Sequence, residues 1–255
     1  MPSRLVGESL VLPGCRERCI CQAGGRLRCQ PFQCPRSSGC ILDRGVRLCG
    51  RPPGKGSATC RLVPGGLFTT FDGFQGRVPA LAAPGAYELA VLADANPRNP
   101  AWFRVLTEYP ACPACPAPRA WVIIRFRDGC VAVGPGGEVW VNGHRAQLPA
   151  RVCGGVMARW AGSGKVLVER PPLLRVLAGP GGTVVLRAAG ALGGQLQAAC
   201  GDFNGDPQDD LRLRGGLPAS SLDDVFRSCQ ARAFRRCHST EKAHSPVYKE
   251  DYFST

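Results

Sequence analysis

The sequence predicts a mainly β chain, in which an antiparallel β-sandwich follows a small disulfide-rich N-terminal module. Two observations lead to this prediction. The chain has 15 cysteines in 255 residues, and seven of them fall between Cys15 and Cys49. Short apolar and β-branched segments recur after residue 60, with glycine-rich turns between them. No apolar run reaches the roughly 18 residues of a membrane-spanning helix, so we expect no membrane span.

Residues 1–50 form the first predicted unit, a cysteine-rich module. Its cysteines have the spacing C-x3-C-x-C-x7-C-x4-C-x5-C-x8-C, with glycine and proline throughout. A segment this short buries too little apolar area to fold without disulfides. The odd number of cysteines leaves one of them for a partner outside the segment. Residues 51–59, which begin Arg-Pro-Pro-Gly-Lys-Gly-Ser, have the composition of a linker.

The predicted strands of the sandwich lie between residues 60 and 217. Asn142-Gly143, between Val-Trp-Val and His-Arg-Ala, is typical of a type I′ hairpin turn. Asp128-Gly129 and three further glycine-rich stretches separate other strands. The clearest predicted strands are residues 121–126, 131–133, 138–141, 165–169, 173–177 and 183–187.

Residues 218–255 differ in composition from the sandwich. A helix is predicted to begin at Leu222, with Ser220 or Ser221 as its N-cap and two aspartates in its first turn. The tail from Cys237 is polar, and we expect it to be poorly ordered.

The charge of the chain is strongly positive, with a net value of +13, and ten basic against three acidic residues in 1–59 supply +7 of it. Such a surface either attracts nucleic acid, heparin-like glycans or sialylated mucin, or is only a solvated arginine-rich surface. Aromatic residues do not interleave with the basic ones, as a base-stacking platform requires. We therefore predict no nucleic-acid partner.

The strongest chemical signal is the segment Cys200-Gly-Asp-Phe-Asn-Gly-Asp-Pro-Gln-Asp-Asp210. Four aspartates and one asparagine fall within nine residues of it. Closely spaced oxygen ligands suit Ca²⁺, which accepts about six to eight of them. The segment is not an EF-hand, because strands precede it and the twelfth position from Asp202 is Leu213. The residues alone leave two interpretations open, a calcium site and a solvated acidic turn.

Cys112-Pro-Ala-Cys115 has the spacing of a redox or zinc pair. A thioredoxin-type site needs this pair at a helix N-terminus in a βαβ unit, which a proline-rich, strand-rich context does not supply. Zinc would need a second pair, which the N-terminal cysteines could offer. We expect a local disulfide between Cys112 and Cys115.

Two separated motifs resemble the von Willebrand factor type D domain over roughly residues 60–217. They are Phe71-Asp-Gly73, which follows Cys60, and the acidic segment 200–210. The resemblance implies a disulfide between Cys60 and Cys200 and a structural Ca²⁺ site. The ligands that it implies are Asp72, Asp202, Asn204, the backbone carbonyl of Asp206, Asp209 and Asp210.

The flanking regions also resemble parts of such proteins. Residues 15–49 are similar to the TIL- or VWC-like cysteine-rich module that precedes type D domains, and 218–255 would begin a C8-type segment that stops early. The family's cysteine just before Tyr87 is absent here, with Gly85 in its place. Its usual partner matches Cys229, which would then be free or paired differently.

The resemblance implies a non-enzymatic extracellular module of the adhesion, matrix or mucus type. Extracellular proteins or glycans would be its partners, and homo-oligomers are possible. No Ser/His/Asp or Cys/His arrangement suggests catalysis, and the first residues show no signal peptide. We therefore expect a fragment or truncated isoform of a larger secreted glycoprotein.

A second hypothesis assigns a different activity to the N-terminal module. Small cysteine-rich modules related to trypsin-inhibitor-like domains present a rigid loop to serine proteases. Arg26 and Arg28, between Cys21 and Cys29, could enter a trypsin-type pocket.

Overall fold

A computed structural model describes residues 7, 9–12, 15–23, 26–34, 39–43, 46–50, 56–78, 84–93, 99–109, 120–231 and 237–238. Nearly all of its secondary structure is antiparallel strand, in four sheets. The predicted mainly β fold, with a disulfide-rich N-terminal module, is confirmed. None of the described helices is long and apolar enough to span a membrane.

The N-terminal module consists of a three-stranded sheet and a separate hairpin. Its strands are β1 (Ser9–Val11), β2 (Glu17–Cys21), β3 (Leu27–Pro31), β4 (Gly39–Asp43) and β5 (Val46–Gly50). Its disulfides are Cys15–Cys40, Cys19–Cys29 and Cys34–Cys49. The remaining cysteine of the seven, Cys21, is buried and free, so the odd count leaves one thiol inside the module.

Two larger antiparallel sheets form the sandwich. Their strands are β6 (Ser57–Leu62), β7 (Leu67–Thr69), β8 (Gln75–Arg77), β9 (Gly85–Leu92), β10 (Phe103–Tyr109), β11 (Trp121–Phe126), β12 (Gly129–Val133), β13 (Val139–Val141), β14 (His144–Ala146), β15 (Ala150–Val152), β16 (Val156–Trp160), β17 (Val166–Arg170), β18 (Leu174–Ala178), β19 (Val184–Ala189) and β20 (Leu196–Gln197). The seven-stranded sheet has the order β14-β13-β12-β11-β10-β9-β20, and the eight-stranded sheet has the order β15-β16-β17-β18-β19-β6-β7-β8.

The main core lies between these two sheets and follows the period-two alternation of a half-buried strand. In β18 and β19 the inward residues Val176 and Leu186 are fully buried, whereas Arg175 and Arg187 point outward and are exposed. Strand β10 is different, because every one of its residues is buried. Both faces of the seven-stranded sheet are therefore covered near its centre.

Residues 230–231 and 237–238 pack against β9 and against the central part of the outer face of the seven-stranded sheet. Gln230 forms a bridge with Tyr87, and the Ala231 N–H donates to the Ala86 carbonyl at 2.8 Å. A disulfide joins Cys130 of β12 to Cys237, and a small apolar cluster lies beneath it. The described residues after 217 are thus part of the packed domain.

The helix predicted from Leu222 forms as α1 (Leu222–Ser228). It begins after Ser221, whose hydroxyl accepts a hydrogen bond from the Asp224 N–H at 3.3 Å. The buried ring of Phe226 lies edge-on to Phe68 of β7, with centroids 5.2 Å apart. The helix therefore packs directly onto the sandwich core.

Two of the free cysteines, Cys153 and Cys229, differ in environment. Cys153 is exposed, whereas Cys229 is buried at the end of α1 and its pKa is raised to about 11 by that burial. Because the thiolate is the reactive form, we expect iodoacetamide at pH 8 to label Cys153 in the native protein and Cys229 only after unfolding. Mass mapping of the labelled sites tests this, and equal labelling of both thiols in the native protein would contradict it.

Cys112 and Cys115 lie outside the described residues. The local disulfide between them stays a prediction.

Candidate metal centre

Two segments that are far apart in the sequence meet beside a disulfide. The turn after β7 begins at Phe71, whose N–H donates to the Cys200 carbonyl at 3.0 Å. Cys200 is itself joined to Cys60 of β6. These contacts bring together carboxylate oxygens of Asp72, Asp202 and Asp210, which all lie within 4.8 Å of one another.

Asp72 attaches its turn to the backbone of the acidic loop. Its Oδ2 accepts a hydrogen bond from the Asn204 N–H at 3.0 Å, and its Oδ1 accepts one from the Gly205 N–H at 2.7 Å. Burial raises the pKa of the Asp72 carboxyl, while the two backbone donors lower it and the charge of Asp209 raises it further. Asp72 therefore holds the loop in place and adds negative charge to it.

Asp210 is the most deeply confined carboxylate of the group. It is buried, and its Oδ2 accepts a hydrogen bond from the Thr70 hydroxyl. Burial raises its pKa to about 8 even though the Thr70 hydrogen bond lowers it, and the carboxylates of Asp72, Asp202 and Asp209 raise it as well. Full ionisation of this cluster near neutral pH therefore calls for a positive countercharge.

Gly201 allows Asp210 to lie this close to the loop backbone. The φ angle of Gly201 is +81°, and a Cβ atom at this position would collide with Oδ1 of Asp210. A glycine next to Cys200 is therefore required by both the backbone conformation and the space available.

Asn204, Asp206 and Asp209 make other contacts. The Asn204 side-chain amide donates to Oδ2 of Asp202 at 3.1 Å and to Oδ2 of Asp209 at 3.0 Å, and its oxygen accepts from the Asp206 N–H at 2.7 Å. The Asp206 carbonyl accepts from the Asp209 N–H at 3.4 Å, and the Asp206 side chain is exposed. Asp209 also pairs with Arg212 at 3.3 Å. Their roles as ligands stay predictions.

The residues at this site fit a hard divalent cation of the calcium class. All of the side-chain atoms that converge here and could bind a metal are carboxylate oxygens, and Ca²⁺ prefers oxygen ligands. Oδ1 of Asp209 and Oδ1 of Asp210 are buried acceptors that have no hydrogen-bond partner among the described residues. A cation would satisfy both atoms and would balance the charge of the cluster.

The N-terminal cysteines do not provide a comparable metal site. The sulfurs of Cys15, Cys34 and Cys49 lie within 4.8 Å of one another. Each of them belongs to a disulfide, so none is a thiolate that could bind zinc.

Two residues of the site, Thr70 and Arg212, were not predicted. Thr70 donates to Asp210, and Arg212 contacts Asp209 through both its side-chain carboxylate and its carbonyl. The sequence indicates them only by position, since Thr70 lies two residues before Asp72 and Arg212 lies two residues after Asp210. Only the folded chain shows that their side chains turn toward the cluster.

The fold and the site define a class, the disulfide-stabilised β-sandwich module with an acidic loop fastened to its core. More specifically, the chain belongs to the von Willebrand factor type D domain family, whose profile matches residues 60–217. The profile of the TILa domain matches residues 3–50. The resemblance that the sequence motifs indicate is therefore confirmed.

Several much longer proteins are similar to this chain. It is 34% identical over 214 residues to the IgGFc-binding protein of Homo sapiens, an alignment that covers 84% of this chain and 4% of the relative. It is 28% identical over 231 residues to zonadhesin of Homo sapiens, an alignment that covers 85% of this chain and 8% of zonadhesin. For alpha-tectorin of Homo sapiens the identity is 25% over 213 residues, and the alignment covers 82% of this chain and 9% of alpha-tectorin. The chain thus spans less than a tenth of the length of these relatives.

Proposed function

We propose that this chain is a non-enzymatic, extracellular, calcium-binding interaction module of the adhesion, matrix or mucus type. The observation that carries the proposal is the convergence of Asp72, Asp202 and Asp210 beside the Cys60–Cys200 disulfide. Family membership supports an interaction role, and the disulfides fit an oxidising compartment. The name of the IgGFc-binding protein records binding to another protein, which agrees with this role.

In this proposal the cation has a structural role. Asp72, Asp202 and Asp210 would hold it, and Asn204, Asp206 and Asp209 complete the predicted ligand set. The bound Ca²⁺ would supply positive charge to the carboxylates. Two contacts within the protein hold the acidic loop in place. Asp72 binds the loop backbone to the turn after β7, and the Cys60–Cys200 disulfide joins the same loop to β6. The result is a rigid surface for contact with extracellular proteins or glycans.

Calcium should therefore raise the stability of the sandwich. A Ca²⁺ concentration about 100 times the dissociation constant adds about 2.7 kcal/mol to the free energy of unfolding. Differential scanning calorimetry in Ca²⁺ and in chelator should show a higher melting temperature with Ca²⁺ for the wild type and a much smaller difference for Asp202→Asn.

The exposed residue Asp128 provides a matched control, since it lies in the turn between β11 and β12. Asp128→Asn removes the same charge and should keep the full response to Ca²⁺. A wild-type melting temperature that ignores chelation would contradict the calcium part of the proposal.

The protease-inhibitor alternative has less support. Arg28 lies within β3, where it is paired with Ile20 of β2, so its backbone is engaged in a ladder. Arg26 precedes that strand and is exposed. Inhibition by this module stays a prediction, and so does the formation of homo-oligomers.

A further inference from the structure

The outer face of the eight-stranded sheet carries a concentrated positive charge. Its outward-facing strand positions include six arginines, and Glu169 is the one carboxylate among these described positions. The arginines are exposed and come from six of the eight strands of this sheet, β15, β16, β18, β19, β6 and β8. They are Arg61, Arg77, Arg151, Arg159, Arg175 and Arg187.

The strand register brings several of these charges together. Arg175 of β18 lies directly opposite Arg187 of β19, an arrangement in which like charges repel. Arg61 lies on β6, the other neighbour of β19, two residues beyond Thr59, which is paired with Arg187. From Arg159 on β16 to Arg61, the charges extend across about 19 Å, at about 4.8 Å per strand.

Few internal contacts neutralise this charge. Glu169 pairs with both Arg159 at 3.2 Å and Arg175 at 3.3 Å, so one carboxylate serves two arginines. Arg187 donates to the Ser57 hydroxyl at 2.6 Å, which orients the guanidinium without removing its charge. Among the described residues, Arg61 has no carboxylate within ion-pair distance. The face therefore has a surplus of oriented positive charge.

The two sheets differ in what covers their outer faces. Ala231 and Cys237 pack in an apolar cluster on the central part of the outer face of the seven-stranded sheet, and the Cys130–Cys237 disulfide fastens Cys237 there. The arginine-rich face is exposed to solvent. A polyanion that lies along this face would relieve the repulsion between Arg175 and Arg187 and would pair with the unneutralised guanidinium groups.

We infer that the outer face of the eight-stranded sheet binds a sulfated polysaccharide chain. Guanidinium groups form paired hydrogen bonds to oxyanions, and sulfate groups repeated along a polymer match a row of arginines. The outward positions of the sheet include no Phe, Tyr or Trp, so the stacking that single-stranded nucleic acid uses is missing. The inference rests on the proposed extracellular function, because such polysaccharides are extracellular polymers.

The test measures binding of the full chain to a heparin oligosaccharide by isothermal titration calorimetry near physiological salt. The variant is Arg61→Gln/Arg187→Gln, which removes two outward charges. The matched control is Arg145→Gln/Arg227→Gln, which removes two exposed charges from β14 and α1. Circular dichroism and thermal unfolding establish that both variants are folded.

We expect the first variant to weaken heparin binding by roughly tenfold or more, since it removes two charged groups that can form charge-assisted hydrogen bonds to sulfate. The control should change the affinity by less than about threefold. Equal losses in the two variants, or no binding by the wild type, would overturn the inference. So would equally tight binding of single-stranded DNA that depends on the same two arginines.

The same titration in chelator separates this inference from the proposed calcium site. None of the arginines on this face is a predicted calcium ligand. Absence of heparin binding together with a normal response to Ca²⁺ in calorimetry would reject only the polysaccharide surface. Heparin binding without any response to Ca²⁺ would reject only the calcium site.

Discussion

Replacement of both Cys60 and Cys200 by alanine should lower the free energy of unfolding by about 4–5 kcal/mol. The two residues are separated by 140 positions, and the chain-entropy model assigns a stabilisation of about this size to a loop so long. Both side chains are fully buried, so their replacement by alanine also removes buried contacts. Urea denaturation of the refolded proteins under non-reducing conditions measures the difference.

The disulfide also holds the acidic loop against β6, so its loss should weaken calcium binding as well. Cys153→Ala is the matched control, because Cys153 is free and exposed and its replacement should leave stability within about 0.5 kcal/mol. Equal unfolding midpoints and slopes for the double variant and the wild type would show that the disulfide does not stabilise the domain.

Phe226→Ala should lower the free energy of unfolding by about 3–5 kcal/mol. The ring is 1% exposed and packs edge-on against Phe68 and Tyr87, with centroids 5.2 Å and 6.4 Å away. Removal of the ring leaves a cavity between α1 and the sandwich, which the rigid sheets cannot fill completely. Chemical denaturation monitored by tryptophan fluorescence tests the expected loss.

Leu217→Ala provides the comparison for this helix. Leu217 is 67% exposed and precedes α1, so its replacement should change stability by less than about 0.5 kcal/mol. Similar small effects of Leu217→Ala and Phe226→Ala would mean that the segment after residue 217 is not part of the cooperative unit.

Parts of the fold could be predicted because they follow local rules. In strands β17, β18 and β19, buried apolar residues alternate with more exposed positions, and glycine-rich turns lie before β17 and between β18 and β19. Strands β9 and β10 lack this alternation, because Ala231 and Cys237 pack on the second face of their sheet. Their burial depends on residues more than a hundred positions away, which no local pattern reveals.

The same distinction applies to the cysteines and the candidate site. The family resemblance implies a link between Cys60 and Cys200, and the structure has a disulfide between them. The Cys130–Cys237 disulfide was not predicted, since connectivity cannot be deduced from spacing alone. Asp72 was recognised through its motif, whereas Thr70 enters the site only through a tertiary hydrogen bond to Asp210.

Direct titration of Ca²⁺ into the chelator-treated full chain is the decisive measurement. Isothermal titration calorimetry should detect one tightly bound ion per wild-type chain, and Asp202→Asn and Asp210→Asn should each weaken its binding at least tenfold. Asp128→Asn should bind Ca²⁺ as the wild type does. Absence of binding by the folded wild type, or equal affinity in the wild type and both site variants, would contradict a calcium site built by Asp72, Asp202 and Asp210.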